Sequence, residues 1–264
     1  MAFDFFATGE LPAPGLGIAE AGRVLRELGA DGDLTELGSQ QDQNFLVTAD
    51  GRPAGVLKLA NPAFPVEDSE AQDAAAELVG ATGLRVSRVV VRDGRPLRMV
   101  AQTSQGPLVA RLLEYLPGGT FVDAGWISPA VAERMGRIAG QVSLALADFE
   151  HPGLERRLQW DPRSGLDVVQ LLAPSIGSVQ ERVVAAAEAA WSVLNGLDLP
   201  VQPGHFDLTD DNLVRGEDGL PDGVIDFGDV SRSWRVAELA VTVSGLLHHT
   251  GPLVETALAA VRGY

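Results

Sequence analysis

Apolar residues at Ile18, Ala21, Val24, Leu25 and Leu28 recur at helical spacing, so residues 17–29 read as an amphipathic helix that stops at Gly29. The period then changes. Residues 35–47 read as a strand, a tight polar turn and a second strand, and the turn from Asp50 to Pro53 leads into a third strand over 55–59. Beyond the breaks at Pro62 and Pro65, residues 67–80 are predicted helical, with Ala71, Ala74, Ala75 and Leu78 on the apolar face. Three more strands follow at 86–91, 97–102 and 107–113, separated by turns at Asp93-Gly94 and Gln105-Gly106.

The pattern alters again after Leu116-Pro117-Gly118-Gly119. Ser128-Pro129 opens a long helix whose stripe is Val131, Met135, Ile138, Val142 and Leu146, with proline in the first turn, where its missing donor costs nothing. A second long helix, about 178–195, carries Val179, Val183, Ala187, Trp191 and Leu194. Two short strands at 212–215 and 223–226 flank a turn at 216–219, and the chain ends in helical sequence. A β-rich first part and an α-rich second part predict an α+β chain of two lobes with a cleft between them, divided as 1–113, a connection at 114–119, and 120–264.

Charge narrows the partners. With 20 Lys+Arg against 36 Asp+Glu, the formal charge is −16, a field that repels nucleic acid and anionic membrane surfaces and suits a cationic small molecule. The absence of Cys excludes disulfides, thiolate metal sites and cysteine nucleophiles. Met1-Ala2-Phe3-Asp4 places an acid where a signal peptide needs basic residues, and no apolar run reaches the ~18 residues of a membrane span, so a cytoplasmic location is expected. Among the basic residues Lys58 is the only lysine. A composition this biased to arginine leaves lysine where a compact ammonium is wanted rather than a planar fork.

The densest polar cluster is His205-Phe206-Asp207-Leu208-Thr209-Asp210-Asp211-Asn212, with Asp226-Phe227-Gly228-Asp229 after it. Asn212 and Asp226 offer hard oxygen ligands to a divalent cation such as Mg2+, and Asp207 is left to accept a proton from a substrate hydroxyl. That is the equipment of phosphoryl transfer, to which Lys58 adds a cation for the nucleotide phosphates. Other schemes fail: Leu57 rather than glycine precedes Lys58, no G-x-S-x-G elbow or HExxH occurs, and a calcium loop from Asp207 would meet Asn212 where glycine is required. Phe206, Phe227, Trp160 and Trp234 read as packing residues, His205 as a loop brace, and His248 and His249 receive no role.

The segments 205–213 and 224–229 resemble the aminoglycoside phosphotransferase family, kinase-like enzymes acting on small hydroxyl compounds. Residues 37–47, 56–62, 111–118 and 149–152, with Trp160-Asp161, are similar to its hydroxylysine-kinase group, which includes kinase-like domains fused to class III aminotransferases. The resemblance implies a bilobal protein-kinase-like fold with Asp207 as catalytic base, Asn212 and Asp226 as metal ligands, and Lys58 on the phosphates. It further implies that the Gly38–Asn44 turn, with Gly38 and Ser39, covers the phosphates and that residues 113–116, with Leu113 and Tyr115, form the hinge that meets the purine. Gln72 stands where the family often has the lysine's glutamate partner, with Glu70 and Glu77 nearby, and Phe206 stands where it commonly has glycine. Asp229 and Glu238 are candidates for a substrate ammonium or, equally, for a solvated or capping role. The function implied is a kinase using ATP or GTP on a cationic amino compound such as hydroxylysine, an amino alcohol or an aminoglycoside. The alternative is a nucleotide-binding regulatory or docking domain of a longer multidomain chain, since relatives continue with further helices.

Overall fold

The structure, a computed structural model, describes residues 5–9, 11 and 13–264; the Met1–Asp4 stretch read above lies outside them. In the first half, helices α1 (Phe5–Thr8) and α2 (Ile18–Glu27) precede strands β1 (Asp33–Leu37), β2 (Gln43–Ala49) and β3 (Arg52–Leu59), and then helix α3 (Val66–Gly80). Strands β4 (Arg85–Val86), β5 (Val91–Arg92), β6 (Arg95–Pro96), β7 (Arg98–Thr103) and β8 (Gly106–Leu113) complete it. The second half runs through helices α4 (Pro129–Ala145), α5 (Gly165–Leu172) and α6 (Gln180–Leu194) to strands β9 (Val201–Gly204), β10 (Leu213–Arg215), β11 (Pro221–Val224) and β12 (Ser231–Trp234). Helices α7 (Val236–Leu246) and α8 (Leu253–Gly263) close the chain. No helix among the described residues is long and apolar enough to cross a membrane.

Five strands form one antiparallel sheet in the order β1-β2-β3-β8-β7. Its inner face carries Phe45, Val47, Leu57, Leu59, Leu108, Ala110 and Leu112, and α2 covers it with Ala21, Val24 and Leu25. The alternation of buried and half-buried residues along β2 follows from the two-residue period of a strand with one face against a core.

A second core lies among the helices. Helix α4 contributes Ala132, Met135, Ile138, Ala139 and Val142, α8 contributes Ala259 and Ala260, and the strand pair β10–β11 contributes Leu213 and Val224. Helix α3 joins this second core through Ala71, Ala75, Ala76 and Val79. The strand expected over 86–91 is divided. Arg85–Val86 pairs parallel with β11 in a three-stranded sheet of order β10-β11-β4, Val89 bridges Leu113, and Val91–Arg92 turns into a hairpin with β6. Its partners pull this segment in different directions, which local propensity cannot report.

Between the two parts, Arg85 ties the connection to the second sheet: Nε donates to Asp222 Oδ1 at 2.9 Å, Nη1 to the Pro117 carbonyl at 3.0 Å and Nη2 to the Arg215 carbonyl at 3.0 Å. Gly118 sits at φ +126°, and a Cβ there would fall 1.9 Å from the Arg215 carbonyl oxygen, so only glycine lets the connection pass.

Candidate active site

The antiparallel ribbon β9–β12 pairs Gly204 with Ser231 and so sets the ends of two loops side by side, His205–Asn212 after β9 and Asp226–Asp229 before β12. Ile225 N donates to the Asn212 carbonyl at 3.0 Å, fastening one loop to the other. Phe206 and Asp226 hold left-handed backbones at φ 57° and 53°, conformations that non-glycine residues adopt only when their surroundings impose them.

For Phe206 the restraint is Glu238, on the first turn of α7. It is 1% exposed, and its two carboxylate oxygens accept the main-chain N–H groups of His205 at 2.8 Å and Phe206 at 2.9 Å. Burial pushes the Glu238 carboxyl up to about 7 although both amides work the other way. His205 is wholly buried, and burial holds it down at about 4, hence neutral. Its Nδ1 accepts the Asp207 N–H at 3.2 Å, leaving Nε2–H to donate to the Ile225 carbonyl at 3.2 Å. The imidazole is thus a brace between the loops, as expected.

A cavity of about 740 Å³ lies between the sheet and these loops, and Lys58, Asp207, Asn212, Asp226 and Asp229 all line it, as do Gly38, Ser39, Gln72, Leu113 and Tyr115. Lys58, 5% exposed on β3, places Nζ 2.7 Å from Asp226 Oδ1 and 3.2 Å from Asp42 Oδ2. Burial opposes its charge, but Asp226 and Asp42 outweigh burial and hold the ammonium above its ordinary pKa. Burial also opposes ionisation of Asp226; Lys58 and the Gly228 N–H overcome it and keep that carboxyl near 2. Among the described residues, none forms an ion pair with Asp207. Burial, with the charges of Asp229 and Asp226, pushes it up to about 8, and Asp229 rises to about 6 by burial and its proximity to Asp226.

Asn212 and Asp226 fit a divalent cation. Asn212 Nδ2 donates to Asp207 Oδ2 at 2.6 Å and to the Asp207 carbonyl at 2.9 Å, which fixes the amide so that Oδ1 accepts from none of the described residues. Asp226 commits Oδ1 to Lys58 and Gly228, and none of the described donors reaches Oδ2. One hard oxygen therefore remains on each, in a cavity where burial and the neighbouring carboxylates raise Asp207 and Asp229.

The other sequence candidates are placed as follows. Gln72 does not touch Lys58: its Oε1 accepts from Arg111 Nη2 at 2.7 Å and its Nε2 donates to the Gly228 carbonyl at 3.4 Å. Glu70 and Glu77 turn to Arg98 and Arg88. Asp229 accepts a hydrogen bond from Gln41 Nε2 at 3.0 Å, across the cleft. Glu238 is not among the residues that line the cavity, and both its oxygens accept backbone amides, which is the capping role of the two read for it. At the connection, Glu114 N–H donates to the Arg88 carbonyl and its carbonyl accepts from Ser87 Oγ, whereas the Tyr115 main chain pairs with none of the described residues.

Several wall residues escaped the sequence reading. Arg156 lines the cavity and donates to the Gly228 carbonyl at 2.9 Å, with Asp68 and the Phe64 ring behind it. Trp160, read as packing, is 49% exposed at the rim. Asp42 left a usable signal: Asn44 is opposite Lys58 in the β2–β3 register, so the residue two before Asn44 is the lysine's diagonal neighbour on the same face.

The sequence profile of the phosphotransferase enzyme family matches residues 33–263. Hydroxylysine kinase of Danio rerio is 28% identical over 233 residues, which cover 78% of this chain and 63% of that protein, so the chain spans about 63% of the relative's length. Among solved structures, amicoumacin kinase hAmiN, in complex with AMP-PNP, Ca2+ and Ami, aligns with a TM-score of 0.67 at 16% identity over 87% of this chain and 71% of its own. The microcompartment-associated aminopropanol kinase aligns with a TM-score of 0.59 at 18% identity, covering 88% and 74%. The α+β, two-lobed architecture is the protein-kinase-like fold of these structures. With that fold, and with the profile matched over most of its length, the chain belongs to the phosphotransferase enzyme family.

Proposed function

We propose that this chain is a small-molecule kinase, transferring the γ-phosphoryl group of ATP or GTP to a hydroxyl group of an amine-bearing compound. The observation that carries the reading is the convergence of Lys58, Asp207, Asn212 and Asp226 on one cavity from opposite sides of the cleft. On this reading residues 1–113 are the nucleotide lobe, 114–119 the hinge and 120–264 the catalytic lobe.

Asp207 accepts the hydroxyl proton as the acceptor oxygen bonds to the γ-phosphorus and the bond to the β-phosphate oxygen breaks. Lys58 steadies the phosphates with a compact charge. Asn212 and Asp226 would hold a divalent cation, Mg2+ in this proposal, which would supply further neutralisation of phosphate charge. Asp207 cannot be ionised cheaply beside Asp226 and Asp229 alone, so positive charge entering the cavity brings it to the proton-accepting form.

Two observations support a cationic acceptor. The formal charge is −16. A second cavity of about 480 Å³ adjoins the first and shares Asp210, Asp211 and His248 with it, adding Asp123. The hydroxylysine and aminopropanol kinases named above carry amino alcohols in their names, which supports the same class.

The test is a screen for nucleoside diphosphate release with Mg2+, ATP or GTP, and a panel of hydroxylysine, amino alcohols and aminoglycosides. Turnover with one acceptor, abolished by Asp207→Asn, is expected. Nucleotide binding without release for any acceptor would favour the regulatory-domain alternative.

A further inference from the structure

Lys58 has two carboxylate neighbours, and they belong to different parts of the molecule. Asp226 comes from the second loop cluster and, on the reading above, also serves a divalent cation. Asp42 comes from the turn between β1 and β2, in the lysine's own sheet. Its Oδ2 is 3.2 Å from Nζ, with the two side chains 10% and 7% exposed. Its Oδ1 accepts the Asn61 N–H at 2.9 Å. The turn is itself anchored, because Asn61 Nδ2 donates to the Gln41 carbonyl at 2.8 Å and Gln41 Nε2 donates to Asp229.

Helix α3 gives Lys58 nothing comparable. Its polar side chains facing the sheet are taken by arginines: Gln72 and Asp73 by Arg111, at 2.7 and 2.6 Å, and Asp68 by Arg156 at 3.4 Å. Arg111 is 2% exposed and is the cross-strand partner of Lys58, so it occupies the ground between the lysine and the helix.

The geometry points to Asp42 as the positioning residue of Lys58. An ammonium on a four-carbon arm has no preferred plane and goes to the nearest counter-charge. With Asp226 as its sole carboxylate it would depend entirely on the residue that also serves the cation. Asp42, anchored through Asn61, supplies a second carboxylate within ion-pair distance of the ammonium, from the lysine's own sheet. The turn over the phosphates, rather than helix α3, thereby sets the lysine's direction. This inference rests on Lys58 being the phosphate lysine.

Asp42→Asn separates the positioning role from a structural one, since it keeps the shape and an oxygen for the Asn61 N–H while deleting the charge. Affinity for mant-ADP, measured by fluorescence both in EDTA and in Mg2+, is expected to fall about tenfold. The kcat/KM for nucleotide should fall by a similar factor, the acceptor KM should stay put, and Asp42→Glu should recover part of the loss. Parent-like nucleotide affinity in a folded Asp42→Asn protein would overturn the inference. If that variant does not fold, Asp42→Ser, which keeps a short oxygen for Asn61, is judged by the same two outcomes. Lys58→Ala separates the layers: if it weakens mant-ADP binding while Asp42→Asn does not, only the role of Asp42 falls. If neither substitution changes affinity, the assignment of Lys58 falls with it.

Discussion

Glu238 allows a quantitative test of how the catalytic loop is held. Two effects compete at its carboxyl: burial at 1% exposure disfavours charge, and the amides of His205 and Phe206 favour it. Burial wins, placing the group at about 7 against 4.5 for an ordinary glutamate. A carboxyl that binds its proton more tightly in the folded chain adds stability that is complete below 4.5 and is lost as the pH rises through about 7. Between about pH 5 and pH 8 that loss comes to about 2–3 kcal/mol, at 1.36 kcal/mol per pKa unit. Glu238→Gln removes the titration while imitating the protonated carboxyl, with one oxygen to accept and one group that donates. The stability difference, parent minus variant, should therefore shrink by about 2–3 kcal/mol from pH 5 to pH 8, in the variant's favour. Urea unfolding followed by tryptophan fluorescence at both pH values measures it. A difference constant within about 0.5 kcal/mol would show that the two amides keep Glu238 ionised and that burial does not dominate.

Three further outcomes are expected. Asp207→Asn should lower kcat by about 10²–10⁴-fold with nucleotide affinity little changed, and more than a tenth of parental kcat would exclude Asp207 as the base. Lys58→Arg keeps the charge but puts a longer, planar guanidinium where a buried ammonium meets Asp42 and Asp226; kcat/KM for nucleotide should drop about tenfold or more, and full activity would mean that the lone lysine needs no particular shape. Gly136→Ala places a Cβ 1.9 Å from the Ala260 carbonyl oxygen and must push α4 and α8 apart. A loss of about 3 kcal/mol, read as a Tm lower by roughly 6–12 °C, is expected, and a Tm within about 2 °C of the parent would contradict the contact.

Much of the site was legible because its chemistry is local in sequence. Asp207 and Asn212 share one loop, Asp226 ends the next strand, and Lys58 was marked by being the only lysine. Helices α2 and α4 were legible from their apolar spacing and the Ser128 cap, and α3 from the proline breaks before it, although its buried face runs through Ala71, Ala75, Ala76 and Val79 and leaves Leu78, expected on that face, exposed. What stayed hidden depends on partners distant in sequence. The 86–91 run is rich in β-branched residues throughout, and only β11 and Leu113 decide where it divides. The ribbon β9–β12 was missed because Pro203 interrupts one strand and both are short. Helix α6 formed where its spacing predicted, yet none of its residues is buried, and Trp191 stacks on Trp234 with ring centroids 6.3 Å apart. Glu238 resembled a substrate ligand because a glutamate near an acidic loop looks the same in sequence whether it meets an ammonium or two backbone amides.

The allegiance of helix α3 bears on how this polypeptide can be cut. A break after Leu113 looks natural from the strand count, but the upstream fragment would carry off Ala71, Ala75, Ala76, Val79 and Val86, one wall of the core built on α4. The downstream fragment would lose that wall of its core, and the upstream one would display the apolar face of α3 that the wall is made of. Each piece would keep only part of that shared cluster, so a split reporter cut there should signal when the two halves rejoin it.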